Sequence, residues 1–588
     1  MKILNYTIEF KNQIISAISA VLKSKYNLEN VDPGMLKFET PPDINMGHLA
    51  LACFPFAKLL RNAPQKIAQE LSENWVKSNH FKKVEANGPY LNFFFNPSYL
   101  KQFLLKDCME NLEYGKSKFG SGKTIMVEYS SPNTNKPLHL GHGRNNLLGM
   151  VVANLLEQLD YQVVKTNLVN DRGIHICKSM YAYQKYGNGE TPESSGLKGD
   201  KLIGKYYVIY NQKEKENPEI AEDIKQMLRD WENGDAEVRS LWKKLNGWVL
   251  EGFNHTYQRM GATFDRLYFE SETYTGGREA ILEAFESGIC EKEPNGAISI
   301  DLEDVKLGKK ILLRGDGTSM YITQDINTTI NKFANYDLDH SLFVVGNEQE
   351  NHFNVLFAIL KKFGYDWADR CEHVSYGMVN LPEGKMKSRE GTVVDFDDLM
   401  DSMKSLAAEE LQDRYTTNNN KHQIENLDDT AEAIAQSAIK YFILKTNLNK
   451  DISFNPKESL SFDGATGPYL QYTHARICSL LNKSSEEPIV IEGDNNTYNW
   501  NEEEIKLQVG LVRFPDAIQQ SALDRNPAVL CSYIYELCRT FNKFYYEHQI
   551  LKTECAQTRN NRLLICKAVK AVLGKTLNIL GIEALTRM

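Results

Sequence analysis

Residues 125–129 read Ile125-Met126-Val127-Glu128-Tyr129, a run typical of a β-strand, and the chain then turns polar at Ser130-Ser131-Pro132-Asn133. A loop with Lys136 and Pro137 leads to His139-Leu140-Gly141-His142-Gly143. Leucines and valines then recur at helical spacing as far as Leu159, and Val163-Val164 begins a second strand-like run. The stretch therefore predicts strand, loop, helix and strand, which is the repeating unit of a parallel α/β sheet.

The loop before this helix suits a phosphate group. A helix N-terminus offers unpaired N–H groups and partial positive charge, both of which stabilise an anion. His139 and His142 would add side-chain donors, and Gly141 would let a ligand approach the backbone. The alternative is a polar loop with two solvated histidines, because short motifs match by chance.

The composition of the whole chain excludes several classes of protein. Its 588 residues suggest three or four domains, and 42% hydrophobic with 25% charged residues is usual for globular proteins. Ten scattered cysteines without a Cys-x-x-Cys pair predict packed thiols, neither disulfides nor a zinc site. No membrane span or signal peptide is apparent, so we expect a cytoplasmic protein. A net charge of −9 disfavours a sequence-independent DNA binder, since any nucleic acid must be held by local basic patches.

Changes in pattern divide the chain into three units. Residues 1–115 predict a small α+β module, in which Gly47-His48 looks like turn or packing chemistry and leads into a second helix. The polar, glycine-bounded segment from Gly115 to Gly122 looks like a linker. Residues 116–460 predict an α/β domain whose charged helical insertion, at about 195–260, is anchored by tryptophans. Residues 461–588 predict an all-α bundle.

Several further segments of the α/β unit point to a site. Tyr321 and Asp325 are four apart and share a face if they are helical. Residues 342–346 and 374–379 read as strands, and the first is followed by Asn347, Glu348, Gln349 and His352. A basic loop at 383–391, bracketed by glycines, is suited to polyphosphate; the alternative is an exposed charged turn. Asp316-Gly317 is a hairpin-turn signal.

The bundle interleaves basic and aromatic residues, as proteins that bind RNA loops do. An ordinary bundle with a charged exterior would look the same, so both interpretations stay open here. The residues concerned are Arg476, Arg513, Arg525, Arg539, Lys543, Tyr533, Tyr535, Phe541, Tyr545 and Tyr546.

The histidine loop and the later Lys385-Met386 loop together indicate a protein family more specifically than either loop does alone. As a pair they resemble those of the class I aminoacyl-tRNA synthetases, and further stretches are similar to the arginyl-tRNA synthetases in particular. Those stretches are 128–142, Tyr321-Ile322-Thr323-Gln324-Asp325, 346–352, 467–476 and the final Arg587-Met588. The resemblance spans the chain and includes an N-terminal tRNA-binding module and a helical anticodon-binding domain.

The resemblance implies a two-step reaction without an editing domain. Arginine and ATP, with Mg²⁺ bound to the nucleotide, would give arginyl-adenylate and pyrophosphate, and the arginyl group would pass to the terminal ribose of tRNA. By family resemblance the catalytic residues are His139, His142, Lys136 and Lys385. The ATP-binding positions are Pro132, Asn135, Leu140, Gly141, His142, Met386 and Ser388. No protein-bound metal or zinc is expected, and the protein is expected to be a monomer.

Arginine and tRNA positions also carry over from the family. A guanidinium group pairs best with carboxylates in a fixed geometry. The arginine-binding positions are Glu128, Ser131, Asn133, Tyr321, Asp325 and Gln349. Without the family, Asp325 could be a surface acid and Glu128 could pair with a lysine. The candidate tRNA-binding residues are Arg476, Tyr472 and Arg539.

One motif departs from the class pattern. The second class I signature is Lys-Met-Ser-Lys-Ser, whereas residues 385–389 here read Lys385-Met386-Lys387-Ser388-Arg389. Serine therefore occupies the slot of the usual transition-state lysine. The family suggests Lys136 as its substitute, and Lys387 is the other candidate.

Three rival functions remain to be separated. An adenylate-forming transferase that does not use tRNA would leave residues 1–115 and 461–588 unexplained. A non-catalytic tRNA-binding relative would be expected to lack His139, His142 or Asp325, all of which are present. A synthetase for glutamine or cysteine is the third, and the absence of a cysteine-rich zinc set disfavours the cysteine enzyme.

Overall fold

The fold comes from a computed structural model that describes residues 6–28, 32, 35–274, 276–315, 320–381, 394–417, 426–484 and 498–588. The basic loop at 383–391 and the predicted turn at Asp316-Gly317 lie outside these residues. Within them, no helix has the length and apolar character needed to cross a membrane.

The described residues contain fourteen strands. They are β1 Phe38–Glu39, β2 Leu49–Ala52, β3 Phe81–Asn87, β4 Tyr90–Phe95, β5 Thr124–Glu128, β6 Gln162–Val169, β7 Arg266–Phe269, β8 Glu291–Lys292, β9 Ile298–Ile300, β10 Lys310–Leu313, β11 His340–Gly346, β12 Cys371–Tyr376, β13 Val379–Asn380 and β14 Ile452–Ser453.

Helices make up most of the remaining described chain. They are α1 Tyr6–Tyr26, α2 Phe54–Leu60, α3 Pro64–Glu73, α4 Pro97–Leu100, α5 Lys106–Glu110, α6 Leu140–Gln158, α7 Ile174–Tyr186, α8 Pro192–Ser195, α9 Gly199–Glu216, α10 Ile220–Glu232, α11 Ala236–Met260, α12 Glu270–Thr273, α13 Gly276–Glu286, α14 Tyr321–Asn335, α15 Glu350–Lys362, α16 Phe396–Thr417, α17 Leu427–Leu444, α18 Pro456–Ser459, α19 Gly467–Lys483, α20 Glu502–Val512, α21 Phe514–Leu523, α22 Pro527–Glu547 and α23 Ala556–Ile579.

A five-stranded parallel sheet lies at the centre, in the order β12-β11-β5-β6-β7. The predicted strand, loop, helix and strand are β5, the 129–139 loop, α6 and β6, so the α/β prediction is confirmed. The chain leaves β5 toward β6 and β7 and later returns to β11 on the other side. Strand order therefore reverses between β5 and β11, and such a reversal leaves a crevice at the carboxyl ends of the two strands.

Helix α6 is surrounded by protein on all sides. Fourteen of its nineteen residues are buried, which explains why its apolar residues are not confined to one stripe. It packs on β6 and β11 of the sheet and on α17 and α21 of the helical part. The helix thus joins the sheet to the bundle.

Arg144, in the second turn of α6, is fully buried. Its guanidinium donates to the carbonyl oxygens of Gly377, Met378, Leu448 and Lys450 at 2.5–3.2 Å. Burial lowers the pKa of Arg144 to about 10, which still leaves the group charged at neutral pH. One side chain therefore ties α6 to the chain leaving β12 and to the turn after α17.

This contact explains why one predicted strand is divided. A single strand was predicted over 374–379, but β12 ends at Tyr376 and Val379 belongs to β13, which pairs with β14. The carbonyl oxygen of Gly377 accepts from Arg144, and that of Met378 accepts both from Arg144 and from the N–H of Ile452 in β14, so the chain leaves the β12 ladder at this point.

The N-terminal unit is an α+β module built on an antiparallel sheet of order β1-β2-β4-β3. The helix predicted to follow Gly47-His48 directly is wrong at its start, because Leu49–Ala52 forms β2 and pairs with β4. His48 is a packing residue, as predicted: its buried Nδ1 accepts from the N–H of Phe95.

The module rests on the C-terminal helices. The Tyr114 hydroxyl donates to the carbonyl of Leu511 at 2.7 Å, and Arg513 donates to the carbonyl of His48 at 3.0 Å. The Lys575 ammonium donates to the carbonyl of Asn111 at 2.8 Å. The predicted linker after Tyr114 therefore lies at a packed junction between the two ends of the chain.

The charged insertion consists of α9, α10 and α11. Trp231 is buried and meets Trp242 edge-on at a centroid distance of 5.3 Å. Trp248 packs in the same way against Tyr183 of α7. The tryptophans anchor these helices to the domain, as the sequence predicted.

We predict that Arg144→Ala lowers the free energy of unfolding by at least about 3 kcal/mol, because an unsatisfied buried acceptor costs about 1–3 kcal/mol. Urea denaturation followed by tryptophan fluorescence measures the loss. Arg539→Ala is the matched control: Arg539 is 66% exposed, so its removal should change stability by less than about 0.5 kcal/mol. Equal stability of the two variants would contradict the anchoring role of Arg144.

Candidate active site

The N-terminus of α6 is capped by its two histidines. His139 Nδ1 accepts from the N–H of Gly141, and His142 Nδ1 accepts from the N–H of His139, both at 3.1 Å. The centroids of the two imidazole rings are 3.8 Å apart. A side chain on Gly141 would come within 2.9 Å of the His139 ring, so glycine is needed between them.

Both histidines are neutral at pH 7. Burial lowers the pKa of His139 to about 4, and burial also holds the pKa of His142 well below its usual value. Since each Nδ1 accepts a hydrogen bond, each proton is assigned to Nε2. The helix end thus carries two imidazole N–H donors that are not used in capping, and these can meet phosphate oxygens.

The chain that follows the basic loop returns to this helix end. The N–H of Leu140 donates to the carbonyl of Val394, and the N–H of Phe396 donates to the carbonyl of Leu138 at 2.9 Å. Residues 394–396 therefore pair with the histidine loop.

Lys136 and Asn135 precede the histidines. Burial lowers the pKa of the half-buried Lys136, and its charge contributes to the lowered pKa of His139. Asn135 is buried, and its Oδ1 accepts no hydrogen bond from the described residues. Of the other predicted ATP-binding residues, Pro132 is buried in the same loop and Leu140 is buried at the start of α6. Met386 and Ser388 lie outside the described residues, as does Lys385.

The loop after β5 is held in an unusual conformation. Ser130 and Ser131 both have positive φ, at 82° and 47°, which costs free energy for residues other than glycine. Asn145 Oδ1 accepts from the N–H of Ser130, and Asn167 Oδ1 accepts from the N–H of Ser131 at 3.1 Å. The two asparagines hold the turn that opens the crevice.

A cavity of about 450 Å³ lies in this crevice, within the size range of ligand sites. All six predicted arginine-binding residues line it: Glu128, Ser131, Asn133, Tyr321, Asp325 and Gln349. Tyr321 and Asp325 lie one turn apart on α14, and Tyr321 is 77% exposed at the rim. The structure thus brings together residues that are far apart in the sequence.

Glu128 forms an ion pair within the protein, in addition to lining the cavity as the family resemblance implies. Its Oε2 lies 2.6 Å from Nζ of Lys332, and both side chains are almost fully buried. The Lys332 ammonium also lies 4.1 Å from the centroid of the Phe343 ring. The alternative in which Glu128 pairs with a lysine is therefore realised, and Glu128 is a compensated charge in the cavity wall.

The remaining carboxylates of the cavity are less compensated. Asp325 Oδ2 lies 2.7 Å from Nε2 of His352. Glu270 also lines the cavity, and burial, together with the charges of Asp171 and Asp325, raises its pKa to about 7 although Arg172 opposes this. Asp325 and Glu270 can both accept from a planar cationic fork.

Family models match nearly the whole chain. The model described as tRNA synthetases class I (R), catalytic domain, matches residues 104–456. The arginyl tRNA synthetase N terminal domain matches residues 10–95, and the DALR anticodon binding domain matches residues 470–588.

Relatives agree with these matches. The arginine–tRNA ligase of Treponema denticola is 46% identical, with 94% of each chain covered, and that of Bacteroides thetaiotaomicron is 43% identical, covering 99% of this chain and 100% of the relative. The chain belongs to the arginyl-tRNA synthetase family. The solved arginyl-tRNA synthetase of Thermus thermophilus is similar in fold, with a TM-score of 0.82 at 25% identity, covering 98% of this chain and all of the other.

The candidate tRNA-binding residues of this family member occupy different environments. The Arg476 guanidinium stacks on Tyr472 and Tyr545, 4.6 and 5.2 Å from their ring centroids, and donates to Asn542. Arg539 is exposed and pairs with Glu536. The wider basic set is not one surface, since Arg513 faces the N-terminal module.

A second cluster of charged groups in the bundle is already paired. Glu503, Glu547 and His548 bring three possible metal ligands together, but the Lys543 ammonium lies 2.8 Å from Glu503 and 3.8 Å from Glu547. All ten cysteines are free thiols, eight of them buried. Neither feature adds to the candidate site.

The sequence interpretation missed Glu270, Lys332 and Arg172 among the residues that line the cavity. Lys332 had a usable signal, because Tyr321, Asp325 and Lys332 are spaced by four and seven residues and share one helix face. Glu270 directly follows β7, at the sheet edge where parallel strands present functional side chains. That signal needed the strand to be recognised first.

We predict that Lys332→Met lowers the free energy of unfolding by about 3–5 kcal/mol, because it leaves the buried Glu128 carboxylate unpaired. Urea denaturation measures the loss, and adding Glu128→Gln should restore most of it. The control is Lys361→Met, which breaks an exposed ion pair with Asp369 and should cost less than about 1 kcal/mol. A double variant no more stable than Lys332→Met would show that the pair is not the cause.

Proposed function

We propose that this chain is an arginine–tRNA ligase that activates arginine with MgATP and then transfers it to the terminal ribose of its tRNA. The observation that carries the proposal is a cavity lined by all six expected arginine-binding residues beside a helix end that offers two imidazole donors. We also propose that the enzyme acts in the cytoplasm as a monomer.

In the first step a carboxylate oxygen of arginine attacks the α-phosphorus of ATP. The bond to the pyrophosphate oxygen breaks, and negative charge grows on the phosphate oxygens and the leaving group. Such a reaction depends on positioning and on donors aimed at the developing charge. The Nε2–H groups of His139 and His142 supply these donors. The backbone N–H groups of Leu140 and Gly141 are already taken up by the carbonyl of Val394 and by His139 Nδ1, so the helix end does not offer them, contrary to the sequence prediction.

The nucleotide is proposed to lie along the histidine loop. Pro132, Asn135, Leu140, Gly141 and His142 are its proposed neighbours. The Oδ1 of Asn135, which has no partner among the described residues, is a suitable acceptor for an amino group or a hydroxyl. Lys385, Met386 and Ser388 are proposed from the sequence alone. Residues 394–396 support their part in the site, because they follow the basic loop and pair with the histidine loop.

Arginine is proposed to enter with its guanidinium toward Asp325 and Tyr321. Asp325 carries the larger share of the attraction, since Lys332 already compensates Glu128. Ser131, Asn133 and Gln349 are proposed to hold the α-amino and carboxylate end. Lysine or citrulline would leave buried polar groups unpaired, and this can discriminate by about 10⁴–10⁵ without editing.

The two ends of the chain are proposed to hold the tRNA. Residues 1–115 form the proposed tRNA-binding module and residues 461–588 the proposed anticodon-binding domain, in which Arg476, Tyr472 and Arg539 contact RNA. Stacked and exposed cationic side chains suit unpaired bases and phosphates.

We predict that exchange of pyrophosphate into ATP requires both arginine and tRNA, as the family resemblance implies. Radiolabelled pyrophosphate exchange, with each component omitted in turn, measures this. Full-rate exchange with arginine alone would contradict the tRNA requirement. Exchange driven by another amino acid would contradict the assignment itself.

We predict that Lys136→Ala lowers kcat for adenylate formation by about 10²–10³-fold with small changes in KM, because the usual signature lysine is replaced by Ser388. Single-turnover activation measures the effect. Lys387→Ala is the matched variant and should cost less, since its slot normally holds serine. If Lys387→Ala is the crippled variant, the compensating charge belongs to the basic loop.

We predict that Arg539→Glu raises the KM for tRNA and lowers the salt dependence of tRNA binding by about one counterion, because a phosphate contact is lost. Filter binding across a salt series measures the slope. Lys225→Glu, an exposed lysine of α10 that is 53% accessible, is the control. An unchanged slope for Arg539→Glu would remove Arg539 from the RNA surface.

A further inference from the structure

His352 lies in the first turn of α15 and lines the same cavity as Asp325. Its Nε2 is 2.7 Å from Oδ2 of Asp325, and each side chain is 29% exposed. An ionised carboxylate only accepts, so the proton of the neutral ring belongs on Nε2. The ring packs edge-on against Phe353, 5.7 Å away between centroids, which limits its rotation.

The hydrogen bond occupies one oxygen of Asp325 and leaves the other, Oδ1, for a ligand. The backbone of Asp325 is held within α14, where its carbonyl accepts from the Thr329 hydroxyl at 2.7 Å, and the His352 bond orients the carboxylate itself. A guanidinium group entering the cavity therefore meets a carboxylate whose orientation is already set, which lowers the cost of ordering it on binding.

We propose that His352 is a positioning residue that makes arginine binding depend on a proton: neutral His352 orients Asp325 for the guanidinium, and protonated His352 competes with it. This rests on the proposed function, in which Asp325 binds the guanidinium of arginine. A protonated imidazole compensates the Asp325 charge and repels a second cation, so arginine and the His352 proton exclude one another.

The sign of the effect follows from the surroundings of His352. The hydrogen bond to Asp325 raises the pKa of His352 above 6.5, against the opposing effect of burial. Arginine binding therefore expels this proton, and affinity rises with pH until the pH exceeds the pKa of His352 in the free protein. Below that pKa, one coupled proton weakens binding by up to about tenfold per pH unit.

Three other titratable groups lie near His352 or Asp325, and Glu270 can contribute to the same pH dependence. Glu350 lies on α15 itself, and His373 lies on β12 with its Nε2 3.0 Å from the carbonyl of Val345. Burial lowers the pKa of His373, and the ring is directed at the backbone of β11 and not at Asp325. Glu270, on α12, feels the charge of Asp325 and has a pKa of about 7, so a cation bound in the cavity would also favour loss of its proton. The pH dependence of the unaltered protein alone is therefore not decisive.

The experiment is isothermal titration of arginine into the full-length protein from pH 6 to pH 8, in buffers of different ionisation enthalpy. The proton release per arginine is compared for the unaltered protein, His352→Gln and Glu270→Gln. The glutamine side chain of the first variant would keep an N–H donor near the same place but cannot take up a proton. We expect His352→Gln to release fewer protons per arginine bound. The part of the pH dependence that comes from His352, up to about tenfold in affinity per pH unit, should be lost, while the affinity at pH 8 is retained. His352→Asn, a second non-titrating variant, should show the same loss of proton release.

The control His255→Gln makes the same chemical change at an exposed position of α11 and should behave as the unaltered protein. Proton release by His352→Gln and His352→Asn equal to that of the unaltered protein overturns the proposal. Asp325→Asn distinguishes a failure of the proposed arginine site from a failure of the proposed role of His352. If it binds arginine normally, the proposed function of the cavity fails; if it loses binding while His352→Gln behaves as the unaltered protein, only the role of His352 fails.

Discussion

The site depends on the buried positive charge of Arg144. Among the described residues, no carboxylate forms an ion pair with it. The two terminal nitrogens of the Arg144 guanidinium donate to four backbone carbonyls from two distant segments. The next residue, Asn145, donates to the carbonyl of Val344 at 2.7 Å and to the Tyr376 hydroxyl, and accepts from the N–H of Ser130. Two adjacent side chains of α6 thus hold the carboxyl ends of β5, β11 and β12. The histidine-capped helix end and the cavity are therefore parts of one rigid arrangement.

This rigidity has local costs that are met by polar side chains. The positive φ angles of Ser130 and Ser131 persist because asparagines on α6 and β6 take up their N–H groups. The buried charge of Glu128 persists because Lys332 lies beside it. Strain and buried charge are tolerated where surrounding contacts determine the geometry, and they concentrate at sites that bind ligands. In this chain the strained residues Ser130 and Ser131 and the buried charge of Glu128 lie next to one another at the end of β5.

Much of this was predictable from local pattern and family likeness. The apolar run of β5 and the helical spacing after His142 predicted the central unit, and six motif positions lie around one cavity. A lysine partner for Glu128 was one alternative from the sequence, but the specific pair Glu128–Lys332 and the contact of Arg513 with the carbonyl of His48 were not predictable. They join positions hundreds of residues apart, and no local period reports such distances. The strand Leu49–Ala52 was missed for another reason: four buried apolar residues fit a strand or a helix equally well.

Arginine and the nucleotide are proposed to meet between the cavity and the N-terminus of α6. A crystal structure of the full-length protein with arginine and a non-hydrolysable ATP analogue tests it most directly. We expect the guanidinium to lie against the Asp325 carboxylate and the arginine carboxylate to face the α-phosphate beside His139 and His142. An arginine side chain bound outside the cavity, or an α-phosphate away from the first turn of α6, would contradict it.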